Sequence, residues 1–203
     1  MGMKRANMLK RTFDLLASLV GLVLLAPFGL LVALAIKFDS RGPVFFRQVR
    51  VGRDFRPFRI YKFRTMVADA PDRGGQLTAG ADPRITRVGR VLRNTKVDEL
   101  PQLINVLTGD MSLVGPRPEV PKYVELFASD YRDILSVRPG ITDPASVKYR
   151  DEGKVLAAAP DPEAAYIEQI LPEKIALARQ YIERSSLVYD LGIIFRTLWR
   201  IVR

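Results

Sequence analysis

The chain of 203 residues contains no histidine and no cysteine. These absences exclude a Ser-His-Asp triad, a cysteine nucleophile, disulfide bonds, haem ligation by histidine and the usual zinc sites. Any catalytic acid, base or nucleophile must therefore be Asp, Glu, Lys, Tyr, Ser or Thr. The length fits one domain with at most a small appendage.

Acidic residues are also few, with 22 Asp and Glu against 32 Lys and Arg, which gives a formal net charge of +10. Such an excess favours an anionic partner. Nucleic acid, anionic lipid and a phosphorylated substrate all meet this condition.

One long apolar run stands out from this basic composition. Residues Leu15 to Ile36 carry no charge, and Ser18 is their most polar side chain. The run exceeds the ~18 apolar residues that indicate membrane insertion. It is also longer than the ~7–15 residues of a signal-peptide core, so cleavage after Ala35 is disfavoured.

Basic residues flank this run on both sides, and positive charge prefers the cytoplasmic face. A straight span cannot place both flanks there, whereas a segment that enters and returns can. Pro27 provides a position for a bend, because it lacks a backbone donor. The sequence therefore predicts a re-entrant helix–break–helix. The flanking residues are Lys4, Arg5, Lys10 and Arg11 before the run, and Lys37, Arg41, Arg47, Arg50 and Arg53 after it.

The rest of the chain predicts an α+β domain that is mainly helical with a small β-hairpin. We expect residues 1–40 to form the membrane segment and residues 41–203 to form a cytoplasmic catalytic domain. The alternating pattern of residues 42–66 predicts the hairpin, and the Gly- and Asp-rich residues 68–83 predict a loop. Helices are predicted from Thr86, from Asp98 to Leu107, from Asp161, from Pro172 to Arg184 and over residues 187–203.

The last of these helices is amphipathic. Its apolar face comprises Leu187, Leu191, Ile194, Leu198 and Ile201, and a basic face carries Arg196, Arg200 and Arg203. Such a helix suits a membrane surface, and it equally suits a core-packing helix with a charged outer face.

Asp98 and Glu99 are adjacent carboxylates at the predicted start of a helix. An ionised Asp can attack phosphorus, and a neighbouring Glu can hold a divalent cation beside phosphate oxygens. From the pair alone, a structural role is the more common one, with Asp98 as an N-cap. Further along the chain, Pro116 and Pro118 fix the backbone around Arg117, and Arg138 precedes another Pro-Gly turn.

Taken in order, these stretches resemble the bacterial sugar transferase family, the monotopic polyprenyl-phosphate phosphoglycosyl transferases. The resemblance runs from about Lys10 to the C-terminus. The matching residues are Lys10-Arg11 with Asp14, Gly42 to Gln48, Lys62 to Met66, Asp98 to Leu103, Gly109 to Pro118 and Arg138 to Thr142.

The resemblance implies transfer of a sugar-1-phosphate from a UDP-sugar to polyprenyl phosphate, with undecaprenyl phosphate as the expected acceptor. It implies that Asp98 is the nucleophile that releases UMP, and that Glu99 holds Mg²⁺. Pro116, Arg117 and Pro118 match the motif implicated in uridine binding. Lys62, Arg64 and Arg138 are then expected phosphate contacts.

The resemblance also implies the bacterial inner membrane, at its cytoplasmic face, with anionic lipid headgroups as partners and nucleic acid excluded. It leaves a homo-oligomer open. The chain begins almost at the membrane segment, so we expect a minimal catalytic unit.

The alternative from a different class is a non-catalytic basic module that binds anionic lipid or nucleic acid. Repulsion between the two acids and such a ligand argues against it.

Two positions depart from the family pattern. Ala26 replaces the serine that often precedes the helix-breaking proline, and the stretch from Leu177 to Tyr181 lacks an aspartate that many members carry. Nothing in the sequence selects the sugar.

Overall fold

The computed structural model describes the backbone of residues 2–75 and 77–202, and the side chains of residues 8–75 and 77–200. The fold is mostly helical with two small sheets. Its helices are α1 (Gly2–Asp39), α2 (Arg87–Asn94), α3 (Gln102–Thr108), α4 (Pro121–Leu126), α5 (Ala128–Ile134), α6 (Pro144–Lys148), α7 (Glu152–Ala157), α8 (Pro162–Ala165), α9 (Leu171–Arg184) and α10 (Leu187–Val202). Its strands are β1 (Phe45–Val51), β2 (Pro57–Phe63), β3 (Ser112–Val114) and β4 (Gly140–Thr142).

The N-terminal helix α1 is continuous and includes Pro27. The predicted break at this proline is therefore not seen. A proline inside a helix removes one backbone hydrogen bond, and the flanking turns of α1 remain helical without it. Within the described residues, α1 is the one helix long and apolar enough to cross a membrane, with a mean hydropathy of 2.8.

One face of α1 packs along the rest of the molecule. Near its start, Asp14 is buried and accepts hydrogen bonds from the Ser112 hydroxyl (2.7 Å) and the Leu113 amide (3.3 Å). Near its end, Ile36 is buried against the α2 region, and Asp39 accepts from the Val88 amide (3.1 Å). The remaining faces are apolar and exposed, including Leu16, Leu19, Val20, Val23, Leu24, Leu30, Leu31 and Leu34.

The predicted hairpin is confirmed. Strands β1 and β2 pair antiparallel, with Phe45 opposite Phe63 and Val51 opposite Pro57. Asp54 and Phe55 at the connection adopt positive φ angles, and the Asp54 amide donates to Leu135 O (2.8 Å). The connection is thereby joined to the helical part of the domain.

The second sheet was not predicted from the sequence. Strands β3 and β4 pair in parallel, with Ser112 opposite Gly140 and Val114 opposite Thr142. A Cβ atom on Gly140 would lie 2.1 Å from the Gly115 amide nitrogen, so the two backbones touch directly. This contact joins two stretches that the sequence separates by about 25 residues.

The main hydrophobic core lies among α4, α5, α8, α9 and the π-helical turn Tyr166–Ile170. Its buried side chains include Val120, Tyr123, Val124, Tyr131, Ile134, Leu135, Tyr166, Leu171 and Ile175. The predicted helix start at Asp161 is confirmed, because Asp161 caps α8 by accepting from the Glu163 and Ala164 amides. Pro172 does not open a separate helix, since α9 follows the π-helical turn without a break in the helical backbone, and it ends at Arg184 as predicted.

The predicted apolar face of α10 differs in exposure along its length. Leu187, Leu191 and Leu198 are exposed, whereas Ile194 is half-buried against the cluster of the buried Ile193. The membrane-surface role of α10 stays a prediction. The side chains of Lys4, Arg5, Ile201 and Arg203, also assigned to flanks or faces above, lie outside the described side chains.

The predicted helix from Asp98 to Leu107 is wrong at its start. A short 3₁₀ turn, Val97–Glu99, carries the two carboxylates, and α3 begins only at Gln102. Pro101 lacks an N–H and so separates the turn from the helix that follows. The predicted loop is confirmed apart from one 3₁₀ turn, Ala70–Arg73.

Candidate active site

Two separate parts of the chain bring charged side chains to the 3₁₀ turn Val97–Glu99. Lys62 lies near the end of β2, and Arg117 follows β3 between Pro116 and Pro118. The Arg117 backbone is held by its amide, which donates to the buried carboxylate of Asp143 (3.3 Å). The β3–β4 pairing therefore positions Arg117 beside the turn.

Glu99 is the centre of an ion-pair cluster. Its Oε1 accepts from Lys62 Nζ (2.8 Å) and Arg117 Nη2 (2.5 Å), and its Oε2 accepts from Arg117 Nη1 (3.3 Å). Burial opposes ionisation of Glu99, but Arg117 and Lys62 outweigh it and hold the pKa well below that of an ordinary glutamate. Arg117, paired mainly with Glu99, has a raised pKa. Glu99 is therefore an ionised carboxylate that accepts two bonds at Oε1 and only one, longer bond at Oε2.

Asp98 has a different environment from its neighbour. Its side chain is buried, and Oδ1 has no hydrogen-bond partner among the described residues. Burial raises the pKa of Asp98, with Lys62 acting in the opposite direction and Glu99 adding to the rise. A buried carboxylate oxygen without a donor is destabilising by itself, and no described group engages its lone pairs.

The N-cap role considered for Asp98 is not observed. No side-chain capping bond is made at the 3₁₀ turn or at the start of α3. The helix before the turn, α2, is capped by Thr86 instead, whose hydroxyl accepts from the Gly89 amide (3.0 Å). A helix-capping role therefore does not explain why Asp98 lies at this turn.

Two basic residues predicted as phosphate contacts make contacts elsewhere. Arg64 is buried and donates to the carbonyls of Ser40 (2.8 Å) and Arg41, just after the end of α1. Arg138 donates from Nε to Gly109 O (2.9 Å), at the opposite end of α3 from the carboxylates. The cluster at Glu99 includes Lys62 and Arg117 but neither of these two arginines.

Two other cations near the carboxylates were not singled out from the sequence. Arg93 and Lys96 both act electrostatically on Asp98. Lys96 has a left-handed backbone (φ 59°, ψ 13°) immediately before the turn. The sequence shows that Lys96 lies two residues before Asp98. It does not predict the left-handed backbone at Lys96, which precedes the turn.

We considered whether these residues fit a divalent cation. Within the described part of the chain there is no group of three or more acidic side chains that could form a complete protein cage. Mg²⁺ is commonly held by one or two carboxylates together with phosphate oxygens and waters. The unpartnered Oδ1 of Asp98 and the single donor on Glu99 Oε2 fit that kind of site. They do not fit a site made of protein ligands alone.

A separate cavity of about 470 Å³ lies beside α10. It is lined by Val147, Arg150, Arg196, Trp199 and Arg200, with three guanidinium groups and one indole. None of the predicted site residues takes part in it. The cavity adjoins the exposed apolar residues of α10 and extends the basic side of that helix.

Comparison with known proteins adds an independent line of evidence. The model of the family described as "Bacterial sugar transferase" matches residues 5–203. A protein of Aeromonas hydrophila named UDP-N-acetylgalactosamine-undecaprenyl-phosphate N-acetylgalactosaminephosphotransferase is 43% identical over 195 residues. The undecaprenyl-phosphate glucose phosphotransferase of Komagataeibacter xylinus is 42% identical over 198 residues. The exopolysaccharide production protein PSS of Rhizobium leguminosarum bv. phaseoli is 43% identical over 198 residues.

Each of these alignments covers 94% of the present chain, but the relatives differ in length. The aligned part is 43% of the Aeromonas protein, 35% of the Komagataeibacter protein and 93% of the Rhizobium protein. The chain thus spans less than half of the first two relatives. Their names specify different sugars at almost equal identity, so identity does not select the sugar.

Proposed function

Because this chain belongs to the bacterial sugar transferase family, we propose that it transfers a sugar-1-phosphate from a UDP-sugar to a polyprenyl phosphate. The observation that carries the proposal is the carboxylate pair of Asp98, which is buried, and Glu99, which is half-buried. Asp98 has an unpartnered oxygen, and Glu99 is held between Lys62 and Arg117. The relatives' names support both the undecaprenyl phosphate acceptor and the sugar phosphate chemistry.

The proposed reaction has two steps. In the first, a carboxylate oxygen of Asp98 forms a bond to the β-phosphorus of the UDP-sugar, and the bond from that phosphorus to the bridging oxygen breaks, which releases UMP. In the second, a polyprenyl phosphate oxygen attacks the same phosphorus and displaces Asp98. The product is a polyprenyl diphosphosugar, and the Asp98 carboxylate is regenerated.

The neighbouring residues have separate tasks in this proposal. Arg117 and Lys62 bind phosphate oxygens and fix Glu99, since a guanidinium fork can hold carboxylate and phosphate together. Pro116 and Pro118 hold Arg117 in place, and we assign the uridine contact to this segment. A Mg²⁺ ion held by Glu99 would neutralise phosphate charge.

We place α1 in the cytoplasmic half of the bacterial inner membrane, with both ends on the cytoplasmic side. Asp14 and Asp39 are separated by about 38 Å of helix, at ~1.5 Å per residue. Both are nevertheless bonded to the same folded domain. A helix that crossed the ~30 Å hydrocarbon core would carry these contacts to opposite sides of the membrane. Basic flanks on both sides support the same placement.

The alternative function, a non-catalytic basic module that gathers anionic lipid or nucleic acid, accounts poorly for the site. A module that only binds anions gains nothing from two carboxylates amid its cations, which weaken the attraction, and nothing from an unpartnered buried oxygen. Our proposal keeps a contact with anionic lipid, made by the exposed apolar residues of α10 and by the arginine-lined cavity beside it.

The test uses purified protein in detergent with Mg²⁺ and a panel of UDP-sugars, and it measures UMP release. We expect release with at least one donor, and a covalent phosphosugar adduct when no acceptor is added. Asp98→Asn should abolish both, because an amide is a poor nucleophile. Asp110→Asn, a change at an acidic residue beyond α3, is the matched control and should retain activity.

UMP release that persists in Asp98→Asn would remove Asp98 from the nucleophile role. Full activity in the presence of a chelator would count against the metal role of Glu99. Absence of UMP release with every donor, in wild-type protein that is folded, would overturn the proposed function.

A further inference from the structure

Lys96 has an unusual backbone conformation directly before the carboxylate turn. Its φ of 59° and ψ of 13° lie in the left-handed region, which non-glycine residues adopt at a cost. Gly and Asn tolerate this region best. The backbone conformation therefore does not favour lysine at this position. We look to the side chain for what lysine contributes here.

The side chain of Lys96 is half-buried and lacks a partner. It makes no hydrogen bond or ion pair with any described side chain or backbone group, whereas Lys62 and Arg117 are both bonded to Glu99. Even so, it lies within electrostatic reach of Glu99, Arg117, Asp98 and Lys62. An ammonium group in partly buried surroundings loses part of its hydration, and an anion that joins it compensates for that loss.

The charges around the turn show which anion would fit. Lys62, Arg93, Lys96 and Arg117 are four cations, and Asp98 and Glu99 are two carboxylates. Asp143 and Glu152 also act on Arg117, and Lys62 and Arg117 are paired with Glu99, so the unpaired ammonium of Lys96 is the group left to take an anion. A phosphate oxygen suits the donors of that ammonium.

We propose that Lys96 is a further phosphate-binding residue of this site, and that its ammonium binds the phosphate group as that group reaches or leaves Asp98. The inference rests on the proposed function for the identity of the phosphate compound. The phosphate can belong to the nucleotide-sugar donor or to the lipid acceptor, and the two half-reactions distinguish these sources.

The main variant is Lys96→Asn, which removes the ammonium and suits the left-handed backbone. We expect its thermal midpoint in detergent to equal or exceed that of the wild type. We expect kcat/KM to fall about ten- to a hundredfold, as for loss of a charge-assisted hydrogen bond. Lys96→Arg should retain most of the activity, and Lys122→Asn, at a surface lysine paired with Glu163, should behave as the wild type.

Two assays separate the phosphate sources. A slower UMP release without acceptor assigns Lys96 to the donor phosphate. An unchanged release with slower transfer to polyprenyl phosphate assigns it to the acceptor. The inference would be overturned if Lys96→Asn left the rates of both assays unchanged. It would also be overturned if the rate loss accompanied a lowered thermal midpoint and occurred equally in Lys96→Arg.

A binding measurement keeps this inference separable from the proposed function. Calorimetry with UDP on Asp98→Asn, with and without Lys96→Asn, requires no turnover. Weaker UDP binding in the double variant supports a donor contact even if no UDP-sugar is turned over. Equal UDP affinity, together with unchanged polyprenyl phosphate transfer, contradicts the inference while leaving the role of Asp98 intact.

Discussion

Asp98 and Glu99 are adjacent in sequence, yet their environments shift their pKa values in opposite directions. Burial raises the pKa of Asp98. For Glu99, Arg117 and Lys62 outweigh burial and lower the pKa well below its usual value. Such opposed shifts in a neighbouring pair are typical of sites that assign different tasks to similar groups.

The proposed nucleophile must be ionised, so its raised pKa sets the acid limit of activity. As pH falls, Asp98 becomes protonated at a higher pH than an ordinary aspartate, whose pKa is ~3.9. We therefore expect kcat/KM for UMP release to decline on the acid side above that value. The effect of Glu99 on stability has the opposite sign. Its lowered pKa means that its ion pairs stabilise the fold fully above pH ~4.3, the pKa of an ordinary glutamate, and this stabilisation is lost only as the pH falls through the lower pKa of Glu99 in the folded protein.

A pH series of UMP release, measured with the thermal midpoint in the same buffers, checks this order. Activity should decline while the fold persists. Since a raised carboxylate pKa means that ionisation of Asp98 costs stability, protonation of Asp98 should not by itself unfold the protein. An acid limb at the pKa of an ordinary aspartate, or one that coincides with unfolding, would contradict the expectation.

At the scale of elements, the contact between β3 and β4 holds Arg117 beside the carboxylate turn. Gly140→Ala would place a methyl group 2.1 Å from the Gly115 amide nitrogen. We expect destabilisation of about 1–3 kcal/mol or more from the clash, together with lower UMP release because Arg117 moves. Thermal unfolding and the UMP assay measure the two effects.

The control for this prediction is Gly192→Ala in α10, where nothing described lies within 4 Å of the new methyl group. Alanine in a helix is favoured over glycine by ~1 kcal/mol, so this variant should be slightly more stable. A Gly140→Ala protein as stable as the wild type would show that the two backbones do not touch in solution.

A second contact joins α1 to the end of the chain. Lys10 Nζ lies 2.5 Å from Asp190 Oδ2, and the buried Asp190 also accepts from the Tyr181 hydroxyl (2.8 Å). Lys10→Met leaves this carboxylate without its cation, and we expect a loss of about 1.5–3 kcal/mol. A double-mutant cycle of Lys10→Met with Asp190→Asn measures the coupling.

We expect the two changes to be clearly non-additive, because each removes the same interaction. Lys37→Met is the control at the other end of α1, where the lysine is exposed and donates to Gly42 O. Additive effects of the Lys10 and Asp190 changes would mean that the ion pair does not fasten α1 to the domain.

The sequence predicted the elements with strong local signals. The alternation of residues 42–66 gave the hairpin, and Asp161 before Pro162 gave the start of α8. The pairing of β3 with β4 was not predictable, since strands of three residues carry no periodicity and meet only through the tertiary fold. The carbonyl contacts of Arg64 and Arg138 were not predictable for the same reason, since they too form only in the tertiary fold.

For the whole molecule, the lack of cysteine permits a clean test of membrane topology. Met8→Cys and Ser40→Cys each introduce a single thiol near one end of the apolar segment. If both ends face the cytoplasm, a membrane-impermeant maleimide should label both variants in inverted vesicles and neither in intact spheroplasts. Labelling of the two positions from opposite faces would show that α1 crosses the membrane.

The exposed apolar surfaces of α1 and α10 also affect how the site meets a lipid substrate. They confine the protein to a surface, so an acceptor with a polyprenyl tail reaches Asp98 by lateral diffusion in that surface. The encounter rate then depends on the acceptor's mole fraction among the lipids rather than on its amount per volume. Adding inert lipid at constant total acceptor would slow transfer by dilution in two dimensions, while the soluble nucleotide sugar would still follow ordinary three-dimensional kinetics.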